Sequence, residues 1–264
     1  MKNIAVLIDF TEGSKVALSQ GAALARKTNS KLYGVHIVSS QGKVDAAQKQ
    51  LAAFMNEHAG AGIPMEMVVG EGSLASATNE VLKKIAPDLV IICTHGVRGM
   101  FQHLFGAQIL KLVQALPYSC MVIQENNKTD LAGAQKILFP VGPHPEFQVK
   151  IKQAAVLSKA LHASLVIYEI DRAGGDYENQ LAKNLEQAKA YFDEHGVSYT
   201  RVLEDVKVIS VGYSRQTIDY ASTNGIPIIC LMAGVSKNEE LFGVGDKENF
   251  LVNEQGVSIM TCNA

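Results

Sequence analysis

"ALARKTNSKLYGVHI" at residues 23–37 lies over "VLSKALHASLVIYEI" at residues 156–170 without a gap, at an offset of 133. Each reads as a helix end, a short turn and a strand. Further along, at an offset of 137, "EH" at 57–58 meets "EH" at 194–195, "IIC" at 91–93 meets "IIC" at 228–230, and "LFG" at 104–106 meets "LFG" at 241–243. Near the ends, "LVQALPYSCM" (112–121) pairs with "LVNEQGVSIM" (251–260) at an offset of 139. Loop insertions produce a drift of a few residues, whereas chance matches keep neither order nor spacing. The chain is therefore read as two homologous domains, 1–126 and 135–264. The polar stretch "QENNKTDLAGAQ" (124–135) between them has the composition of a linker.

In the first half, β-like runs fall at about 2–8, 32–38, 64–69, 88–93 and 119–124. The segments between them, "SKVALSQGAALARK", "VDAAQKQLAAFMNEH", "SLASATNEVLKKI" and "AQILKLVQAL", put apolar residues at helical spacings. Ser73, after "GEG", is placed to cap the third helix. Strands alternating with helices of this length imply a parallel sheet with right-handed crossovers. The fold class is α/β, as two repeated doubly wound five-stranded parallel-sheet domains. The final strands, "YSCMVIQ" and "VSIMTC", would be apolar edges open to pairing.

Totals agree with this class and exclude others. Among 264 residues 47 % are hydrophobic, only 6 % are aromatic and Trp is absent, which suits buried parallel strands better than an aromatic-rich sandwich. A net charge of −2 without long Lys or Arg runs gives no footprint for nucleic acid. No run of eighteen apolar residues is present to span a membrane, and "MKNIAVLIDFTEGS" reads as a first strand, not a signal peptide. Cys93, Cys120, Cys230 and Cys262 lie far apart in apolar segments with no CxxC pair, as small hydrophobes of a reduced cytoplasm.

In such a sheet, ligands collect outside the carboxyl ends of the strands, with the first and fourth commonly flanking the crevice. Asp9 ends the first strand here. Thr94 and the glycines of "ICTHGVRGMFQHLFGAQ" (91–107) follow the fourth. Gly96, Gly99 and Gly106 would let backbone approach an oxygen closely, and a following helix N-terminus favours negative charge. Neither GxxxxGK[ST] nor GxGxxG is present, so the residues alone leave open whether the loop cradles a phosphate or only turns.

"IAVLIDFTEGSKVALSQGAALARKTNSKLYGVHI" resembles the start of a universal stress protein domain, and "THGVRGMFQHLFGAQ" resembles that family's nucleotide loop, G-x-x-G, nine residues, then G-[ST]. The resemblance covers the first half and, through the repeat, the second more faintly. It implies a tandem universal stress protein of the adenine nucleotide alpha hydrolase-like fold, a cytoplasmic stress-response module and not an enzyme. Its N-terminal crevice would bind ATP or a related nucleotide. Asp9 and Ile37 would lie beside the adenine and ribose, and Thr94, Gly96, Gly99, Gly106 and Ala107 beside the phosphates. Two positions depart: Cys93 stands for the first glycine and Ala107 for the hydroxyl-bearing residue. One missing hydrogen bond to a charged group costs about 1.5–3 kcal/mol, so binding is expected to be weakened. The resemblance also implies pairing through the final strands, an internal pseudo-dimer of the two halves, with the whole chain a monomer or a homodimer.

The second half departs further. Gly142 in "FPVGPHP" replaces the acid, Ala233 aligns with the second glycine, and Glu239, Glu240 and Asp246 add negative charge near Gly243. Carboxylates repel a phosphate, so this half is expected to be a packing partner. His36 is read as a ligand contact or a structural histidine, His95 and His103 have no third metal ligand, and His144 sits in a turn between prolines. Ser14, Ser73 and Ser76 have no nucleophile elbow around them, and no second group completes a reaction centre with Asp9 and Glu12. The alternative is a protein-interaction scaffold of the same fold that binds no nucleotide. A third reading, an ATP-cleaving ligase or sulfurylase, would need a phosphate loop near the first strand, where "DFTEGS" lacks the SGGxDS-type pattern.

Overall fold

The structure, a computed structural model, describes residues 1–94, 102–127, 129–171, 178–205, 213–234 and 245–263. The first half runs β1 (Asn3–Leu7), α1 (Glu12–Thr28), β2 (Lys31–Val38), α2 (Val44–His58), β3 (Met65–Glu71), α3 (Leu74–Ile85), β4 (Leu89–Thr94), α4 (Gln102–Ala115) and β5 (Cys120–Gln124). The second runs β6 (Lys136–Pro140), α5 (Phe147–Leu161), β7 (Ser164–Asp171), α6 (Glu178–Glu194), β8 (Tyr199–Asp205), α7 (Tyr213–Thr223), β9 (Ile228–Met232), α8 (Gly245–Leu251) and β10 (Ser258–Cys262). The expected strands and first three helices of the first half sit within a few residues of their predicted positions. The fourth helix begins five residues earlier than its apolar pattern suggests.

Local chemistry accounts for the helix ends. The Thr11 hydroxyl accepts the Ser14 N–H at 3.3 Å and caps α1, which stops at Asn29, left-handed at φ 53°. Ser73 stands at the cap of α3 without a side-chain hydrogen bond. Gly21 sets how closely α1 lies on the sheet, because a Cβ there would fall 2.7 Å from Val6 Cγ2.

All ten strands share one mixed sheet, in the order β3-β2-β1-β4-β5-β10-β9-β6-β7-β8. Within each half every pairing is parallel. At the centre β5 and β10 pair antiparallel, Val122 opposite Ile259, Met121 opposite Met260 and Cys120 opposite Thr261. The two apolar edge strands thus cover each other, which removes the most aggregation-prone edges of both halves. One apolar layer lies under α1, α2, α5 and α6, and the other under α3, α4, α7 and α8; both run across the centre without a break.

Polar clamps fix this seam. Gln124 and Asn263 close the last strand of each half at equivalent places. The Gln124 amide donates to Leu251 O at 3.1 Å, and the Asn263 amide donates to Val113 O at 2.8 Å and Tyr118 O at 3.0 Å. The segment with linker composition is docked, not free. Asn127 Nδ2 donates to Ser258 Oγ at 2.7 Å, Gln20 takes Thr129 O and Leu131 N–H at 2.8 and 3.0 Å, and Leu131 is wholly buried. Hydrogen-bonding side chains and a single leucine, set at the right places, turn a polar stretch into a fitted strap.

Candidate functional site

The crevice of the first half opens at the carboxyl ends of β2, β1 and β4. Register pairs Leu7 with Val35 and Val6 with Ile91. Carried on to the strand ends, it brings Asp9, Ile37 and Thr94 to one level across three neighbouring strands. The chain then turns through Phe10, a non-glycine residue at φ 65°. Strain of this kind amounts to about 1–3 kcal/mol and persists where surroundings enforce it.

Here the enforcement is a compact hydrogen-bond set. Asp9 N–H donates to Ser14 Oγ at 2.9 Å, while Asp9 Oδ1 accepts the Thr11 N–H at 3.1 Å, the Thr11 hydroxyl at 2.5 Å and the Ser14 hydroxyl. The half-buried carboxylate is therefore held rigidly by the first turn of α1, whose positive dipole end favours its charge. Glu12, on the same turn, is turned out to Lys15 Nζ at 2.5 Å and does not join Asp9 as an acid/base pair.

His36 serves the framework: its Nδ1 bonds Ile8 O at 2.7 Å, so Nδ1 carries the proton. The Phe10 ring lies 4.5 Å from the His36 ring and 5.5 Å from Phe54, which in turn meets His58 at 4.7 Å. This aromatic wall was not foreseen. The signal for it was Phe10 itself, an aromatic between a strand-ending acid and a helix cap. Ile37 is half-buried against the layer that carries α3; a Cβ on Gly70 would come within 2.7 Å of its Cδ1, so glycine there gives the side chain its place.

Thr94 is buried and gives its hydroxyl to Leu251 O at 3.3 Å, so its side chain serves the seam. Cys93 is half-buried; desolvation above all, with the Glu125 and Asp9 carboxylates nearby, pushes its thiol far up and leaves it unreactive. Gly96, Gly99 and His95 lie outside the described residues, as does the side chain of His103. Gly106 and Ala107 are placed only by the backbone of α4; a helix begun at Gln102 leaves the N–H groups of its first four residues without intrahelical partners. Ser14 is buried and Ser76 is exposed on α3.

The corresponding edge of the second half inverts the chemistry. Where β1 leads to Asp9, β6 leads through Gly142 to His144, which is buried at 5 % exposure. His144 Nδ1 accepts the Glu146 N–H at 3.1 Å, and Asn184 Nδ2 donates to Gly142 O at 2.7 Å and His144 O at 3.1 Å. Beneath them lies Lys150, 2 % exposed, its ammonium 4.4 Å from the centre of Phe139 and 4.9 Å from that of Phe147, donating to Pro140 O. Gly243, Glu239 and Glu240 lie outside the described residues, as does the side chain of Asp246. Among the described residues no group of His, Cys, Asp and Glu is arranged to hold a metal, and no helix is long and apolar enough to cross a membrane.

Comparison with known proteins adds the following. The universal stress protein family model matches residues 1–124. A universal stress protein from Archaeoglobus fulgidus aligns over 99 % of this chain and 96 % of its own, at 10 % identity and a TM-score of 0.70. A putative universal stress protein from Pseudomonas aeruginosa aligns over 100 % of this chain and 93 % of its own, at 17 % identity and a TM-score of 0.65. The cytoplasmic domain of a prokaryotic cation chloride cotransporter also aligns, over 99 % and 95 %, at 10 % identity and 0.54. At these identities the structural likeness speaks for the fold alone. No curated protein sequence matches the chain.

Proposed function

We propose that this chain, whose residues 1–124 match the universal stress protein family model, is a two-domain protein of that family and a cytoplasmic stress-response binding module whose N-terminal crevice takes an adenine nucleotide weakly. The division is 1–126 and 135–264, each a doubly wound five-stranded unit, with the second half a packing partner. The observation that carries the nucleotide proposal is the row of Asp9, Ile37 and Thr94 at the carboxyl edge, with Thr94 ending the strand that precedes α4 in the chain. A fixed carboxylate suits ribose hydroxyls, and Ile37 offers an apolar side to the base. Phosphates would lie against Gly96 and Gly99 and the first turn of α4, in the manner of anions at helix N-termini, with Gly106 and Ala107 one turn further into that helix. Ala107 supplies no hydroxyl, hence the weakness. The second half has Gly142 and a buried lysine in this place, so ATP belongs to the first half alone.

A second proposal, the scaffold without nucleotide, draws on one observation: the Thr94 hydroxyl is engaged by Leu251 O in the seam. Calorimetric titration of ATP and AMP separates the two. Saturable binding at about millimolar concentration, abolished by the double substitution Asp9→Ala, Gly96→Val, is the result expected for the nucleotide module. No heat with either nucleotide at about 5 mM would leave the scaffold.

A further inference from the structure

The strap between the halves fills a seat whose counterpart in the repeat stands open. Gln20 and Gln153 are equivalent at the offset of 133, and Ser119 and Ser258, like Met121 and Met260, at that of 139. Helix ends support the correspondence: α1 and α5 stop at Asn29 and His162, 133 residues apart and both left-handed. In the filled seat the Gln20 carboxamide takes Thr129 O and Leu131 N–H, Asn127 bonds Ser258 Oγ, and the Leu131 side chain is wholly buried. Gln153, Ser119 and Met260 instead line a cavity of about 270 Å³.

This open seat lacks what the strap supplies. Gln153 Nε2 donates to Asn263 O at 2.9 Å, but its Oε1 is sealed from solvent with no donor among the described residues. An amide oxygen buried in this way destabilises the fold until an N–H reaches it. Val156, nearly one turn along α5, lines the same cavity at 53 % exposure, one of two large apolar side chains left so open among the described residues. Lys152 and Asp88 put opposite charges on the lining, so neither anions nor cations are selected.

We infer that this cavity docks an extended segment of a partner protein with the strap's chemistry, polar residues around one leucine-sized side chain. The last side-chain rotor of a glutamine turns at little cost. The Gln153 carboxamide leaves Asn263 O and clasps the segment's backbone with both ends, as Gln20 clasps the strap. The leucine lies against the apolar lining of Leu89, Leu157 and Met260, and the segment covers Val156. The inference does not depend on the nucleotide proposal, because Leu89 opens β4 and the cavity thus lies at the amino ends of the first half's strands, away from the carboxyl edge.

The test is NMR titration of the ¹⁵N-labelled full chain with the acetylated and amidated peptide NNKTDLAGAQ, the sequence of residues 126–135, and with the same peptide bearing alanine for its leucine. The leucine peptide is expected to saturate at about 1 mM or below. It should shift the side-chain amide signals of Gln153 and leave in place those of Gln20, which the tethered strap holds. The alanine peptide is expected to bind about tenfold or more weakly. Gln153→Met is expected to weaken the leucine peptide about tenfold, and Val156→Asp, at an exposed position, to weaken it as well. No saturation by about 5 mM, equal affinity of the two peptides, shifts at Gln20 and not at Gln153, or an unchanged affinity in Gln153→Met would overturn the proposal. Should Gln153→Met fail to fold, an unchanged affinity in Val156→Asp overturns it.

Discussion

The two carboxyl edges of this sheet share a topology and differ in charge. At one, a carboxylate is gripped by two hydroxyls and a backbone N–H at the start of a helix; at the other, an ammonium is buried between two phenylalanine rings. Ala17 and Lys150 occupy the same place in the repeat, and both are buried. The two halves keep the same backbone order of strands and helices, because the parallel register and the helix layers tolerate many side chains. The polar residues at the strand ends had no such constraint, and each edge settled on its own internally satisfied set.

Exchanging the two residues is the most severe way to break this comparison. Ala17→Lys inserts a long cation into a filled layer that lacks the Pro140 carbonyl and the two rings. Overpacking and charge burial together are expected to cost more than about 4 kcal/mol, so the variant should show no cooperative urea transition. Lys150→Ala leaves a cavity and strands the Pro140 carbonyl, for a loss of about 3 kcal/mol in the same measurement. Near-wild-type stability for either would mean that the two edges are interchangeable.

The seam clamps sharpen the comparison at lower energy. Asn263→Ala removes two hydrogen bonds between the halves and is expected to lower stability by about 1–2 kcal/mol. Gln124→Met, at the equivalent place, removes one bond but also a buried amide oxygen without a partner. It should be neutral or slightly stabilising. Thermal melts of the two variants side by side would show whether this asymmetry holds.

The smallest effect concerns the thiols. Burial pushes Cys120 and Cys230 up to about 12, one from each half. A thiol raised in this way stays protonated in the fold while the unfolded chain ionises near pH ~8.5. Its contribution is whole below that value and is lost as pH climbs towards 12. Urea midpoints should therefore fall steadily between about pH 9 and 12, and the Cys120→Ala, Cys230→Ala variant should flatten the decline. An unchanged slope would point to other groups.

Much of this architecture was legible, and the reasons are specific. The match of residues 23–37 to 156–170 carries helix, turn and strand in one piece, so the repeat showed that both halves follow the same order of elements, while the joining of their strands into one sheet was not written in it. Apolar final strands told which edges needed cover. Side-chain direction stayed hidden: Thr94 sits at the strand end that its position promised, yet its hydroxyl crosses to Leu251, a partner 157 residues away. The strap at 124–135 misled for a related reason, since its composition is polar while its fit depends on Asn127 and Leu131 meeting particular partners. Lys150 was passed over because a single lysine in a helical pattern looks like a solvated one. Only the two rings and the carbonyl around it reveal otherwise.

The antiparallel pairing at the centre of the sheet has a bearing on how the molecule is made. Of the ten strands, β10 is translated last, yet it fills the middle of the sheet, 137 residues after the partner it covers. Until residues 258–262 clear the ribosome, β5 of a nascent chain presents a bare apolar edge. Neighbouring chains on one messenger would offer each other identical edges during that interval. The order of synthesis thus sets a race between closure within a chain and exchange between chains.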